Sequence, residues 1–160
     1  MKKPSTWMII FSTIGLLLSM YAFLHNRGFV SGSICTINAT INCDIVNKGP
    51  FSDFFGVPVA LIGLIGYLFL LIGSVLKRKT PDDHLLTLFV LAIAAFGFGF
   101  SLYLTSIEAT ILHAWCLICV TSQLMMLGFI VAVVILAHSE NHFYPFISWI
   151  KKNLHLQKTI

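Results

Sequence analysis

Residues 57–76 read VPVALIGLIGYLFLLIGSVL, and Lys77, Arg78 and Lys79 follow at once. The run contains no carboxylate, amine, guanidinium or imidazole side chain. At about 1.5 Å per residue, a helix of this length crosses the roughly 30 Å of hydrocarbon in a bilayer. A basic triplet closing the run marks the water boundary, by preference the cytoplasmic one. Three further stretches lack Asp, Glu, Lys and Arg in the same way: Trp7–Leu24, Leu85–Ile107 and Trp115–Ala137. The first follows Lys2 and Lys3, as the core of a signal peptide would. Its 18 residues exceed the usual core of about 7–15, and no A-x-A cleavage pattern follows.

The composition agrees with four spans. Of 160 residues, 58% are hydrophobic and 10% charged, against about 45–50% and about 25% in soluble domains. A mean hydropathy of +0.91 cannot be hidden in one small core, because a short chain leaves much of its surface wet. Large soluble enzymes, nucleic-acid modules and disordered tails are therefore excluded. The formal charge of +4 orients the chain in a membrane rather than recruiting phosphates.

Eight of the ten Lys and Arg residues fall on one side of a four-span chain: Lys2, Lys3, Lys77, Arg78, Lys79, Lys151, Lys152 and Lys158. Arg27 and Lys48 fall on the other. The expected fold is all-α, an integral membrane four-helix bundle with both termini cytoplasmic. A long exterior loop, His25–Gly56, joins helices 1 and 2, and a short one, Glu108–Ala114, joins helices 3 and 4. Glu108 reads as the end of span three, at the headgroups. Residues 1–137 form the four-span domain and 138–160 a cytoplasmic tail. In that tail Phe146, Ile147, Trp149 and Ile150 lie beside Lys151 and Lys152 after Pro145, as in a short interfacial helix. Gly63, Gly66 and Gly73, with Gly97 and Gly99, mark close helix contacts.

All four cysteines fall on the exterior side of this topology. Cys35 and Cys43 form a Cys-x7-Cys pair in the long loop, and Cys116 and Cys119 form Cys-Leu-Ile-Cys where span four begins. An oxidising face permits disulfides. The partial positive charge of a helix start stabilises thiolates, which favours redox work at Cys116 and Cys119. The loop pair sits among Gly28, Gly32 and Gly49, where the backbone can carry it toward a partner and back. Three readings stand: inert disulfides or buried thiols, a four-cysteine zinc site, and a dithiol relay. The zinc reading is loosened by the seven-residue gap, since zinc ribbons offer two tight Cys-x-x-Cys knuckles. The relay passes electrons by thiol–disulfide exchange and needs a lipid-soluble partner such as a quinone.

Four spans, a Cys-x7-Cys loop after the first and a Cys-x-x-Cys opening the last resemble the vitamin K epoxide reductase family. Cys43-Asp-Ile-Val, Phe55-Gly56-Val57-Pro58-Val59-Ala60 and Gly63 with Gly66-Tyr67 resemble its bacterial branch, over about residues 5–137. That branch couples disulfide formation to quinone reduction. The resemblance implies that Cys35 and Cys43 are shuttle cysteines and that Cys116 and Cys119 form the active-site disulfide. It implies that a reduced thioredoxin-like protein attacks through Cys35, that Cys43 then attacks Cys116, and that Cys119 leaves as the thiolate facing the quinone. Gln123 stands where animal members have a tyrosine and Ser52 where they have an asparagine, and both can hydrogen-bond a quinone carbonyl. Gly49 replaces a serine common in bacterial members.

Around the cysteines, Trp115 suits an interfacial belt or a ring stacked on the quinone. His113 suits a solvated loop residue or a proton carrier. Phe55, with Phe51 and Phe54, suits a lid over the quinone mouth or a loop anchor. Asp44 beside Cys43 would raise a thiol pKa, and Asn38-Ala39-Thr40 is a glycosylation sequon. The resemblance thus implies a membrane thiol:quinone oxidoreductase using ubiquinone or menaquinone, with no metal and no nucleic-acid partner. It would reoxidise a separate thioredoxin-fold carrier at a bacterial inner membrane, with the cysteines facing the periplasm. The alternative is a non-catalytic, disulfide-stapled membrane protein that binds a partner through its exterior loop.

Overall fold

The computed structural model describes residues 2–31, 35–38, 40–81 and 83–139. The tail helix expected over 143–156 lies outside the described residues, as does Ala39 of the sequon. Four long helices match the four spans: α1 (Lys2–Asn26), α3 (Val59–Lys79), α4 (His84–Ile107) and α5 (Leu117–Ser139). Each is long and apolar enough to cross a membrane. A short helix, α2 (Cys43–Asn47), and a two-stranded ribbon, β1 (Asp53–Phe54) with β2 (Val57–Pro58), fold the long loop. The chain is an all-α, multi-pass membrane protein.

Helix α1 packs mainly on α3 and α5, while α4 closes against α5 and α3. The face α1 turns inward is made of small residues. Ser5, Met8, Ser12, Gly15, Ser19 and Ala22 are buried at alternating spacings of three and four, whereas Leu17 and Met20 are exposed. Lipid is as apolar as leucine, so a span gains nothing by hiding its large side chains. Close approach through small ones holds such helices together. Gly15 lets Tyr67 of α3 lie flat on the α1 backbone, since a Cβ there would collide with the ring. From that position the Tyr67 hydroxyl donates to the Ser122 carbonyl of α5 at 2.6 Å. Gly73 admits Val90, and Gly128 admits Phe11. Gly66 and Gly99 differ from expectation, because neither has a neighbour within 4 Å of where a Cβ would stand.

The connections are built by side-chain hydrogen bonds. Lys77 is 1% exposed, and its Nζ donates to the carbonyls of Pro81 and Asp83 at 2.7 and 2.8 Å. Asp83 then caps α4 by accepting from Leu86 N–H at 3.1 Å. The tight turn between β1 and β2 places Phe55 at φ 53° and Gly56 at φ 79°. Two consecutive positive φ values suit a hairpin whose second residue is glycine.

Candidate active site

Two backbone hydrogen bonds bring the long loop to the start of α5. Trp115 N–H donates to Thr40 O at 2.7 Å, and Asn42 N–H donates to Trp115 O at 3.1 Å. The segment Thr40–Asn42 thereby runs as a parallel bridge beside Trp115. Asn42 also caps α2, its side chain accepting from Ile45 N–H at 3.1 Å. Because α2 begins with Cys43 and α5 begins just after Cys116, the bridge sets these two cysteines side by side.

Cys35 and Cys43 form a disulfide with a Cα–Cα distance of 5.6 Å. Cys116 and Cys119 are free thiols. Cys43 Sγ lies 3.2 Å from Cys116 Sγ, and the sulfurs of Cys35, Cys43 and Cys116 are within 4.8 Å of one another. Cys35, Cys43 and Cys116 are all buried. What the arrangement can do is exchange. A thiolate on Cys116 can attack Cys43 and release Cys35, or, in reverse, a Cys43 thiolate can attack an oxidised Cys116. Cys116 stands at the opening turn of α5, where unpaired backbone N–H groups favour a thiolate.

The loop disulfide is braced from below. His25 is fully buried at the end of α1, stacked on Tyr21. With Asn47 Nδ2 donating to its Nδ1 at 3.2 Å, its Nε2–H donates to Asp44 Oδ1 at 3.0 Å. Thr36 Oγ1 donates to Asp44 Oδ2 at 2.9 Å, and Lys48 Nζ lies 3.0 Å from Oδ1. The Asp44 carboxyl is held below the usual carboxylate range by the Lys48 hydrogen bond first and the Thr36 bond second. Asp44 thus ties the neighbours of both loop cysteines to α1.

Behind Cys119 a cavity of about 240 Å³ opens among all four long helices. Its walls are mostly apolar, with Phe96, Phe100, Leu104 and Met126 among them; its polar groups include Tyr67, Ser101, Thr105, Glu108, Ser122 and Gln123. Of the residues singled out from sequence, Cys119 and Gln123 line it. Gln123 Nε2 donates to Thr105 Oγ1 at 2.6 Å. Ser52, Phe55 and Trp115 do not line it. Ser52 binds through its backbone to Gly49 and Val59, Phe55 is 92% exposed at the ribbon tip, and Trp115 is half exposed.

Glu108 ends α4 as the sequence reading has it, but its side chain faces protein rather than solvent. Glu108 is 3% exposed, lines the cavity and accepts from Cys116 N–H through Oε2 at 3.2 Å. The cause is local. After α4 the chain widens into one π-helical turn, Glu108–Leu112, and His113 then reverses it with φ 48°. That reversal folds Cys116 back onto the carboxylate. A signal was present, because Glu108 is the only Asp, Glu, Lys or Arg between Asp83 and Glu140, and an acid inside such a run faces protein rather than lipid.

The profile of the vitamin K epoxide reductase family matches residues 6–134. The chain belongs to that family. The match spans all four long helices and all four cysteines, so the family's thiol–disulfide chemistry coincides with the sulfur cluster. This vitamin K epoxide reductase family member is a membrane thiol–disulfide oxidoreductase.

Proposed function

We propose that the protein reoxidises a separate thioredoxin-fold disulfide carrier and delivers the electrons to a membrane quinone, ubiquinone or menaquinone. The reading sets it in a bacterial inner membrane, with both termini cytoplasmic and the cysteines toward the periplasm. The 3.2 Å approach of Cys43 to Cys116, with Cys119 opening onto an apolar cavity, carries it.

The cavity fits a quinone. Its walls suit an apolar ring and tail, and Ser101 Oγ, on its lining, is buried with no hydrogen-bond partner among the described residues. A hydroxyl left unpaired in this way can donate to a carbonyl oxygen, as can the second amide hydrogen of Gln123. A bound quinone supplies a two-electron, two-proton acceptor. The remaining steps belong to the chain. The carrier's thiolate attacks Cys35 and breaks the Cys35–Cys43 bond, and the carrier leaves oxidised. Cys43 attacks Cys116 of the oxidised active pair and releases Cys119; Cys35 then attacks Cys43, restoring the loop disulfide and leaving two reduced thiols at α5. A Cys35–Cys43 disulfide beside free Cys116 and Cys119 is what that exchange would leave. Loss of two electrons and two protons to the quinone re-forms the Cys116–Cys119 disulfide.

Quinone reduction by purified protein, with a reduced thioredoxin-fold donor, tests this. Cys119→Ser and Cys116→Ser are expected to abolish turnover with any donor. Cys35→Ser and Cys43→Ser are expected to abolish it with the protein donor while sparing much of it with a small dithiol. No turnover by wild type with any quinone, with both pairs resisting reduction, would overturn the reading.

A further inference from the structure

Of the buried ionisable groups that the mechanism above leaves unused, Glu108 borders the reacting pair. Glu108 lies inside the segment His84–Leu112 that spans the membrane, where an acid is costly unless it works or is paired. Among the described residues no salt bridge reaches it, because both ion pairs there are made by Asp44. Its hydrogen-bond partner is the Cys116 N–H, which sets the carboxyl beside the Cys116–Cys119 pair. It lines the same cavity as Cys119. One carboxyl therefore binds the backbone of the reacting pair and borders, with Cys119, the space where the acceptor would sit.

We propose that Glu108 is a catalytic residue that takes the Cys119 thiol proton and passes it to the quinone. This rests on the reading of the cavity as a quinone site. The Cys119 S–H bond breaks with its proton moving to the Glu108 carboxylate. The Cys116–Cys119 bond forms as two electrons leave for the quinone. The Glu108 O–H then gives its proton to a quinone oxygen, and the Cys116 thiol supplies the second proton. Two thiols are oxidised and one quinone is reduced, with Glu108 returned to its starting form. The inward face of α4 aims it, since Thr87, Ala94, Ser101 and Glu108 recur every seven residues along one side of that helix. Of the other ionisable groups near it, Cys116 and Cys119 come from α5 and Tyr67 from the α3 wall of the cavity. His113 ends the π-helical turn, and His25 and Asp44 are engaged with each other beneath α2.

The test is quinone reduction by the full-length protein in detergent or proteoliposomes, with a small dithiol as donor, across pH. Glu108→Gln keeps an oxygen for the Cys116 N–H but cannot take a proton. We expect kcat to fall by about 10²–10³ with the quinone KM little changed. The wild-type acid limb, where a carboxylate base is lost, should disappear in Glu108→Gln. Glu108→Asp should recover part of the rate and keep that limb. Disulfide trapping between Cys43 and Cys116 in each variant reports whether the site is still assembled. Should either variant fail to fold, the acid limb and a solvent isotope effect on wild-type kcat remain as readouts, and absence of both overturns the proposal. A Glu108→Gln enzyme within about twofold of wild type at every pH overturns the role of Glu108 and leaves quinone reduction standing. A wild type that reduces no quinone overturns both.

Discussion

Asp44 collects Thr36, His25 and Lys48 on one carboxylate, and each contact reaches a different part of the loop. Its pKa is depressed in the folded chain, so the stability it contributes is present above the unfolded aspartate value of about 3.9. That contribution is lost as pH falls through the lower folded value. The carboxylate is 41% exposed, so the whole contribution stays within about 1 kcal/mol. Asp44→Asn is therefore expected to lower the unfolding temperature slightly at neutral pH, with the difference from wild type vanishing in strong acid. Thermal unfolding in detergent at a series of pH values checks this. At the same scale, Glu108 and Ser101 show what residue type alone withholds. A glutamate after a span and a serine in a helix are unremarkable by identity, and they become informative because one sits against Cys116 and the other has no partner.

The helices obey a rule that hydropathy does not register. Apolar residues go around every side of α1, yet its buried face, Met8 and His25 apart, is Ser5, Ser12, Gly15, Ser19 and Ala22. Among the glycines of α3 and α4, those at contacts and those facing open space look alike in sequence. A Cβ at Gly73 would stand 2.6 Å from Val90 Cγ2, whereas one at Gly99 would meet nothing within 4 Å. Gly73→Val is expected to destabilise the protein by about 1–3 kcal/mol through overpacking. Gly99→Ala should be neutral or slightly stabilising, through helix propensity. Unfolding midpoints of the two variants in one detergent decide the point, and equal effects would contradict the α3–α4 contact. Gly66 is open for another reason, since it borders the cavity and its missing side chain is part of that space.

At the scale of the molecule, one parallel bridge between Thr40–Asn42 and Trp115 joins a loop disulfide to a membrane thiol pair. With Cys35 and Cys119 both changed to Ser, Cys43 and Cys116 need to approach by only about 1 Å to reach the bonded distance of about 2.05 Å. A single Cys43–Cys116 disulfide is expected to form on mild oxidation, read as a shift on non-reducing electrophoresis after thiol capping. Pairing of Cys43 with nothing would contradict the geometry. The lipid environment, the four spans and the grouping of the cysteines into two pairs are legible in the residues alone. Those properties follow from local runs of apolar residues and from spacing along the chain. Even the hairpin at Phe55-Gly56 is local. Contacts across the fold set Cys43 against Cys116 and put Gln123, rather than Ser52, Phe55 or Trp115, on the cavity wall. Each of these depends on contacts between segments far apart in sequence. Hydrophobic periodicity carries no record of which loop residue meets which helix end, because lipid rewards every apolar surface alike and leaves that choice to a few hydrogen bonds and close backbone contacts.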